Sequence, residues 1–138
     1  MAGLDCHLKR CRAAVSALMV VILGLVTAPV VHAAAAAATL SVTSTWQTGF
    51  IARFSIVNSS GAPLTDWVLE FDLPAGESIS HAWSSTVRRS GTHYMLTPAN
   101  WNRIIAPGGV ANGGFRGVVN GSYSPPVNCM LNRQYACS

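Results

Sequence analysis

The chain has 138 residues, half of them hydrophobic and only 10% charged, with nine lysines and arginines against five aspartates and glutamates for a formal net charge of +4. Three of those cations, Lys9, Arg10 and Arg12, cluster near the start. The remaining arginines are scattered, only Arg88 and Arg89 being adjacent, which excludes a nucleic-acid footprint.

The early cations precede an apolar run from Ala13 to Ala28, then "PVVHA" and an alanine tract. Basic, apolar and small-residue segments in that order predict a secretory signal peptide over residues 1–33, cut after Ala33, with an alanine-rich processing region over residues 34–38. A retained anchor is the alternative, because the run approaches a short membrane span in length, but Pro29 and the alanines end it. Cys6 and Cys11 precede the run, where a lipid-attachment cysteine would follow it. Processing leaves about 105 residues, enough for one domain with a modest core. The expected product is monomeric, free of the membrane and extracellular, with the cell wall as one destination. An oxidising compartment favours a bridge between the two remaining cysteines, Cys129 and Cys137. Closing so short a loop contributes roughly 2.5 kcal/mol in the chain-entropy view.

From Thr39 onward apolar residues recur with period two, interrupted by turn residues. Leu40 and Val42 fit a first strand. Phe50, Ala52, Phe54 and Ile56 share a face before "NSSGAP" breaks the run, and Trp67, Leu69, Phe71 and Leu73 share another, with Val68, Glu70 and Asp72 opposite. In "SISHAWSSTV", period two sets Ile79, His81 and Trp83 on one side; Tyr94 and Leu96 fit a middle strand and Phe115 to Val119 a late one. Short strands separated by Gly, Pro and Asn turns, with no helical stripe, predict an all-β antiparallel sandwich of the immunoglobulin-like or jelly-roll-like kind.

The four tryptophans have two kinds of neighbourhood. Trp67 lies in an alternating apolar strand and reads as core, whereas Trp46 in "TSTWQTG", Trp83 in "HAWSSTV" and Trp101 in "PANWNRI" are flanked by short polar side chains. Any one of these three fits the end of a core. Three together predict an exposed aromatic patch, which a domain of this size rarely carries unless it binds something. Polysaccharides suit such a patch, since rigid indoles stack on the apolar C–H faces of sugars while amides and hydroxyls bond their edges. Side chains two strands apart in a sheet are roughly 10 Å apart, close to a disaccharide repeat in an extended glucan.

The segments "WQTGFIARFSIVNSSGAPLTDWVLEFDLPAG", "AWSSTVRRSGTHY" and "NWNRIIAPGG", with the closing "LN" and cysteine, resemble the family 2 carbohydrate-binding modules, the bacterial-type cellulose-binding domains, over residues 39–138. The resemblance implies a non-catalytic sandwich needing no cofactor, with Trp46, Trp83 and Trp101 as a planar platform and Trp67 inside. Presence of "NWNRI" implies cellulose or chitin rather than xylan. Candidate edge groups are Gln47, His81, Asn102 and Asn112; His81 is a candidate to bond a hydroxyl or to make binding respond to pH. The family commonly ties its termini through a cysteine ahead of the first strand, a place that falls near Ala37 here, leaving Cys129 as the partner for Cys137.

A glycoside hydrolase is the alternative. Hydrolysis needs two carboxylates flanking the bond, and Glu70 and Asp72 share a strand face at a spacing near the retaining range. Alternating acids opposite an apolar face are also the ordinary solvent side of a strand. His81 and His93 are too far apart locally for a metal pair unless the fold unites them. An adhesin that uses the aromatic face on host molecules is the third class.

Overall fold

The computed structural model describes residues 35–138 and Gly24; the predicted signal peptide lies outside the described residues. Eleven strands follow in chain order: β1 (Ala36–Trp46), β2 (Gly49–Asn58), β3 (Leu64–Thr65), β4 (Leu69–Asp72), β5 (Glu77–Trp83), β6 (Ser85–Ser90), β7 (His93–Pro98), β8 (Ile104–Ile105), β9 (Val110–Val119), β10 (Val127–Leu131) and β11 (Tyr135–Ala136). They form a front sheet ordered β1-β2-β9-β5, a back sheet ordered β11-β10-β4-β7-β6, and a short β3-β8 ribbon. All pairings are antiparallel, giving the predicted sandwich.

Alternation builds the core. Phe50, Ala52, Phe54 and Ile56 of β2 point inward with Phe115 of β9, and meet Leu69 and Phe71 of β4 and Tyr94 and Leu96 of β7. Phe71 crosses between the sheets, with its ring stacked 5.1 Å from that of Phe115 and 6.1 Å from that of Tyr94. Trp67 lies just ahead of β4 with no exposed surface, its ring 5.6 Å from Phe54. A buried indole needs a partner for its N–H, and Trp67 Nε1 donates to the Asn102 carbonyl at 3.0 Å.

Part of the alanine tract enters the first strand. Ala36 to Ala38 belong to β1, paired with Asn58 to Ile56, and Ala36 and Ala38 are each only 2% exposed. A small side chain on alternate positions lets this edge strand lie close against the core, so Ala36 to Ala38 are structural. The "NSS" that ends the β2 run is likewise structural. Asn58 is wholly buried, its amide nitrogen donating to Ala62 and Ile105 carbonyls and its Oδ1 accepting from the Ser60 backbone and hydroxyl.

Cys129 and Cys137 form the expected disulfide, S–S 2.04 Å. The Ser138 N–H donates to the Ala38 carbonyl at 3.0 Å, so the residue after Cys137 meets β1.

A protein beginning at Thr39 should be less stable than one beginning at Ala34, since it lacks two buried methyl groups and the first ladder bonds. At about 0.8 kcal/mol per buried carbon and about 1 kcal/mol per hydrogen bond, the expected loss is about 2–4 kcal/mol in urea unfolding; equal midpoints would place Ala36–Ala38 outside the cooperative fold.

Candidate functional site

Strict alternation would place Trp46 inside, because Leu40 and Val42 face the core and positions 44 and 46 continue their parity. The β1–β2 register breaks between Val42 and Ser44, with Val42 opposite Ala52 and Ser44 opposite Ile51. Thr43 is the extra residue, and it turns Ser44 and Trp46 outward. The same device recurs on β5. Ile79 pairs with the inward Gly117 and packs on the core, whereas His81 pairs with the outward Arg116, leaving Ser80 as the inserted residue. Ile79 is therefore not on the face of His81 and Trp83, as uninterrupted period two would have it. One bulge on each edge strand of the front sheet aims an indole at solvent.

Glycines floor both rings. Trp83 pairs with Gly114, and a Cβ there would overlap both the indole and the Ala52 carbonyl. A Cβ on Gly49, the partner of Trp46, would meet that indole at 2.7 Å. Each ring thus lies down against the sheet, with one flat side turned outward. Arginines flank them: the Arg116 guanidinium sits 5.3 Å from the Trp46 ring centroid, and Arg53 sits 5.8 Å from that of Trp83. The His81 ring is 6.4 Å from Trp83.

Trp101 lies in the turn between β7 and β8 and is 73% exposed, the value that separates it from Trp67. It shares an open hollow with Val110 and Ala111 at the start of β9. Along β9 the three indoles therefore follow in order: Trp101 beside Val110, Trp83 opposite Gly114, and Trp46 at the level of Val118 through Gly49. The row runs obliquely across the sheet, from edge strand to edge strand, so its pitch is not the simple two-strand distance that the sequence suggested.

Asn102 requires a correction. Only 7% exposed, it donates its side-chain amide to the Ser84 carbonyl at 2.7 Å, and its own carbonyl receives the Trp67 N–H. It anchors the Trp101 turn and does not offer an edge group to a ligand. Asn112 is exposed on β9 and lines a hollow of about 340 Å³ with Thr39, Ser41, Arg53, Ser55 and Trp83. Gln47 is exposed in the turn after Trp46. Sequence reasoning missed Thr39, Ser41, Arg53 and Ser55; the signal was their parity opposite Leu40, Ala52, Phe54 and Ile56.

Glu70 and Asp72 lie on the outer side of the back sheet, bridged by one histidine. His93 Nδ1 is 2.7 Å from Asp72 and Nε2 is 2.8 Å from Glu70; Arg133 and Asn128 bond the other oxygens of Glu70 and Asp72. Burial opposes ionisation of Glu70, but the bonds from Arg133 and His93 prevail and lower its pKa. Bonds from Asn128 and then His93 lower that of Asp72, and bonds to Asp72 and then Glu70 raise that of His93. Both carboxylates are thus engaged in a charged clasp, and His93 and His81 stand on different sheets. Among the described residues, no group of three His, Cys, Asp or Glu is placed to hold a metal, and no helix is long and apolar enough to cross a membrane.

A two-sheet antiparallel sandwich with aromatic rings laid flat on one outer face is the architecture of a carbohydrate-binding module. Residues 36–137 match the cellulose binding domain family. The chain is 70% identical over 142 residues to a cellulose/chitin binding protein of Mycobacterium tuberculosis, with 100% of each chain covered. It is 38% identical over 104 residues to chitinase C of Streptomyces lividans, covering 75% of this chain and 16% of that enzyme. A solved chitin-binding domain from Streptomyces coelicolor superposes with a TM-score of 0.60 at 39% identity, covering 72% of this chain and 92% of the domain. A cellulose-binding family 2 domain solved by NMR agrees in fold, with a TM-score of 0.58 at 22% identity, covering 71% of this chain and 97% of the domain. The chain belongs to the cellulose-binding domain family, the family 2 carbohydrate-binding modules.

Two outcomes follow. Gly114→Ala should displace the Trp83 ring, lowering stability by about 1–3 kcal/mol through overpacking and shifting the indole fluorescence; an unchanged spectrum would mean the ring does not rest on Gly114. For the clasp, a raised histidine pKa gives stability that is complete below its ordinary value of 6.5 and lost as pH rises through the folded one. Lowered carboxylate pKa values give stability present above 4.5 and 3.8 and lost as pH falls through the folded ones. The melting-temperature gap between wild type and His93→Gln should therefore be widest between 4.5 and 6.5 and narrow on either side, and a gap independent of pH would remove the ionic clasp.

Proposed function

We propose that the protein is a secreted, non-catalytic module that binds insoluble β-1,4-linked polysaccharide, cellulose or chitin, through Trp46, Trp83 and Trp101. The observation that carries this reading is the pair of bulges that turn Trp46 and Trp83 out of the core onto a common face. An edge strand gains nothing in packing by exposing an indole, so the exposure is explained by a ligand that covers it. Sugars stack on the flat sides left open, and Gln47, His81, Asn112, Ser41 and Ser55 offer donors and acceptors around them. The relatives support the ligand class, two being a cellulose/chitin binding protein and a chitin-binding domain.

Absence of catalysis is part of the proposal. Glu70 and Asp72 lie on the other sheet from the indoles and are satisfied by His93, Arg133 and Asn128, leaving neither with the raised pKa a general acid needs. Secretion rests on the leader over residues 1–33, and an extracellular site of action agrees with the disulfide.

Depletion of the processed protein by cellulose, chitin and insoluble xylan tests the reading. Wild type should partition onto cellulose or chitin in preference to xylan. Trp83→Ala and Trp101→Ala should fold yet bind about tenfold or more weakly, as expected when a central aromatic anchor is removed. Equal binding by folded variants would sink the platform. Reducing-sugar release abolished by Glu70→Gln would restore the hydrolase, and binding to host proteins that oligosaccharide cannot compete would favour an adhesin.

A further inference from the structure

The aromatic face carries positive charge that no acid among the described residues neutralises. Arg53 and Arg116 are exposed on the outward side of β2 and β9, one beside Trp83 and the other beside Trp46. Among the described residues, ion pairs involve His93, Arg103 and Arg133, and neither Arg53 nor Arg116. The four described acids are engaged elsewhere. Asp66 pairs with Arg103, Glu70 and Asp72 hold the back-sheet clasp, and Glu77, only 5% exposed, accepts from the Ser124 backbone. None takes an outward position on the front sheet, where His81 stands opposite Arg116.

A neutral glucan does not require this arrangement. Serines, threonines and amides suffice for hydroxyl edges, and the face has Thr39, Ser41, Ser55 and Asn112 for that purpose. Two guanidinium groups, 5.8 and 5.3 Å from the centroids of the Trp83 and Trp46 rings, add something different, a planar fork that matches a carboxylate bidentately. Gly114 lies between Arg53 on β2 and Trp83 on β5 in the same cross-strand row, so no intervening side chain blocks the arginine from what lies on the ring.

We propose that the face selects a β-1,4-linked glycan bearing carboxylates, as uronate units or C6-oxidised glucose, with Arg53 and Arg116 as the specificity-determining residues. The inference rests on the aromatic row being the binding face and adds the charge of the ligand to it.

The test measures binding isotherms of the processed protein on three cellulose nanocrystal preparations: unmodified, surface-carboxylated at C6, and surface-sulfated to the same charge density. Binding to the unmodified crystals reports the aromatic row alone, so its loss would overturn that reading separately. Carboxylated crystals should bind about five- to tenfold tighter than unmodified ones in low salt, the size expected for two exposed charge pairs. The gain should vanish in 1 M NaCl, where screening acts within about 3 Å. Arg53→Gln with Arg116→Gln should bring the ratio of affinities for carboxylated and unmodified crystals to about one, whatever its effect on unmodified crystals; Arg53→Lys with Arg116→Lys should keep only part of the ratio. Arg88→Gln with Arg89→Gln, on the back sheet, removes the same two charges and controls for net charge. No preference for carboxylated crystals, an equal loss in Arg88→Gln with Arg89→Gln, or an equal gain on sulfated crystals would each overturn the proposal.

Discussion

In a strand, side chains alternate between two faces, and a front sheet that must bury Phe50, Phe54 and Phe115 has no freedom to change that parity in its middle. The edge strands do have that freedom. Thr43 on β1 and Ser80 on β5 each insert one residue where a single neighbour is affected, and everything beyond the insertion changes sides. Trp46 and Trp83 face solvent because of those two residues. The glycines at positions 49 and 114 follow from the same constraint, since an indole turned onto a sheet surface needs the neighbouring strand to be bare beneath it. The central strands β2 and β9 keep continuous pairing from Gly49 to Val57 and supply the flat floor.

The third ring is placed differently. Trp101 sits on a turn, and turns alone position side chains poorly; the adjacent Asn102 compensates by bonding both ways. Its carbonyl receives the N–H of the core indole Trp67, and its amide grips Ser84, the residue next to Trp83. The most buried tryptophan and the most exposed one are thereby joined through one intervening residue. The back sheet, with its His93 clasp binding β4, β7 and β10, stiffens the opposite side without contributing to the aromatic row.

The inner half of the fold was legible because it obeys alternation. Phe50 to Ile56, Leu69 to Phe71 and Tyr94 with Leu96 all face inward as their spacing predicts, and Trp67 is core as its neighbours suggested. Polar flanks set three tryptophans apart from Trp67, and Trp46 and Trp101 are exposed while Trp83 is half-buried; the reason Trp46 and Trp83 leave the core was illegible, because a bulge is one residue in a run of serines and threonines, with no side chain that announces it. The bulge at Ser80 is why Ile79 turned inward against its expected parity. Alanines hid the start of β1, because a methyl group satisfies a signal-peptidase site and a buried strand position equally well. Asn102 read as a ligand group because an amide beside an exposed indole looks the same whether it faces solvent or a buried carbonyl; only the long-range contact to Trp67 tells them apart.

The β2–β9 register separates two kinds of information by parity. On β2, positions 50, 52, 54 and 56 meet the core while 51, 53, 55 and 57 meet the outside, and β9 divides in the same way. Changes to the second set can retune what the face recognises while hardly touching the energy that folds the domain. Stability and recognition are thus written in interleaved but nearly independent alphabets along one strand. Such a module can be carried from one polysaccharide to another in small steps, each passing through a folded protein. The glycines beneath the rings and Asn102 are where the two alphabets share a letter, and there the freedom to diverge ends.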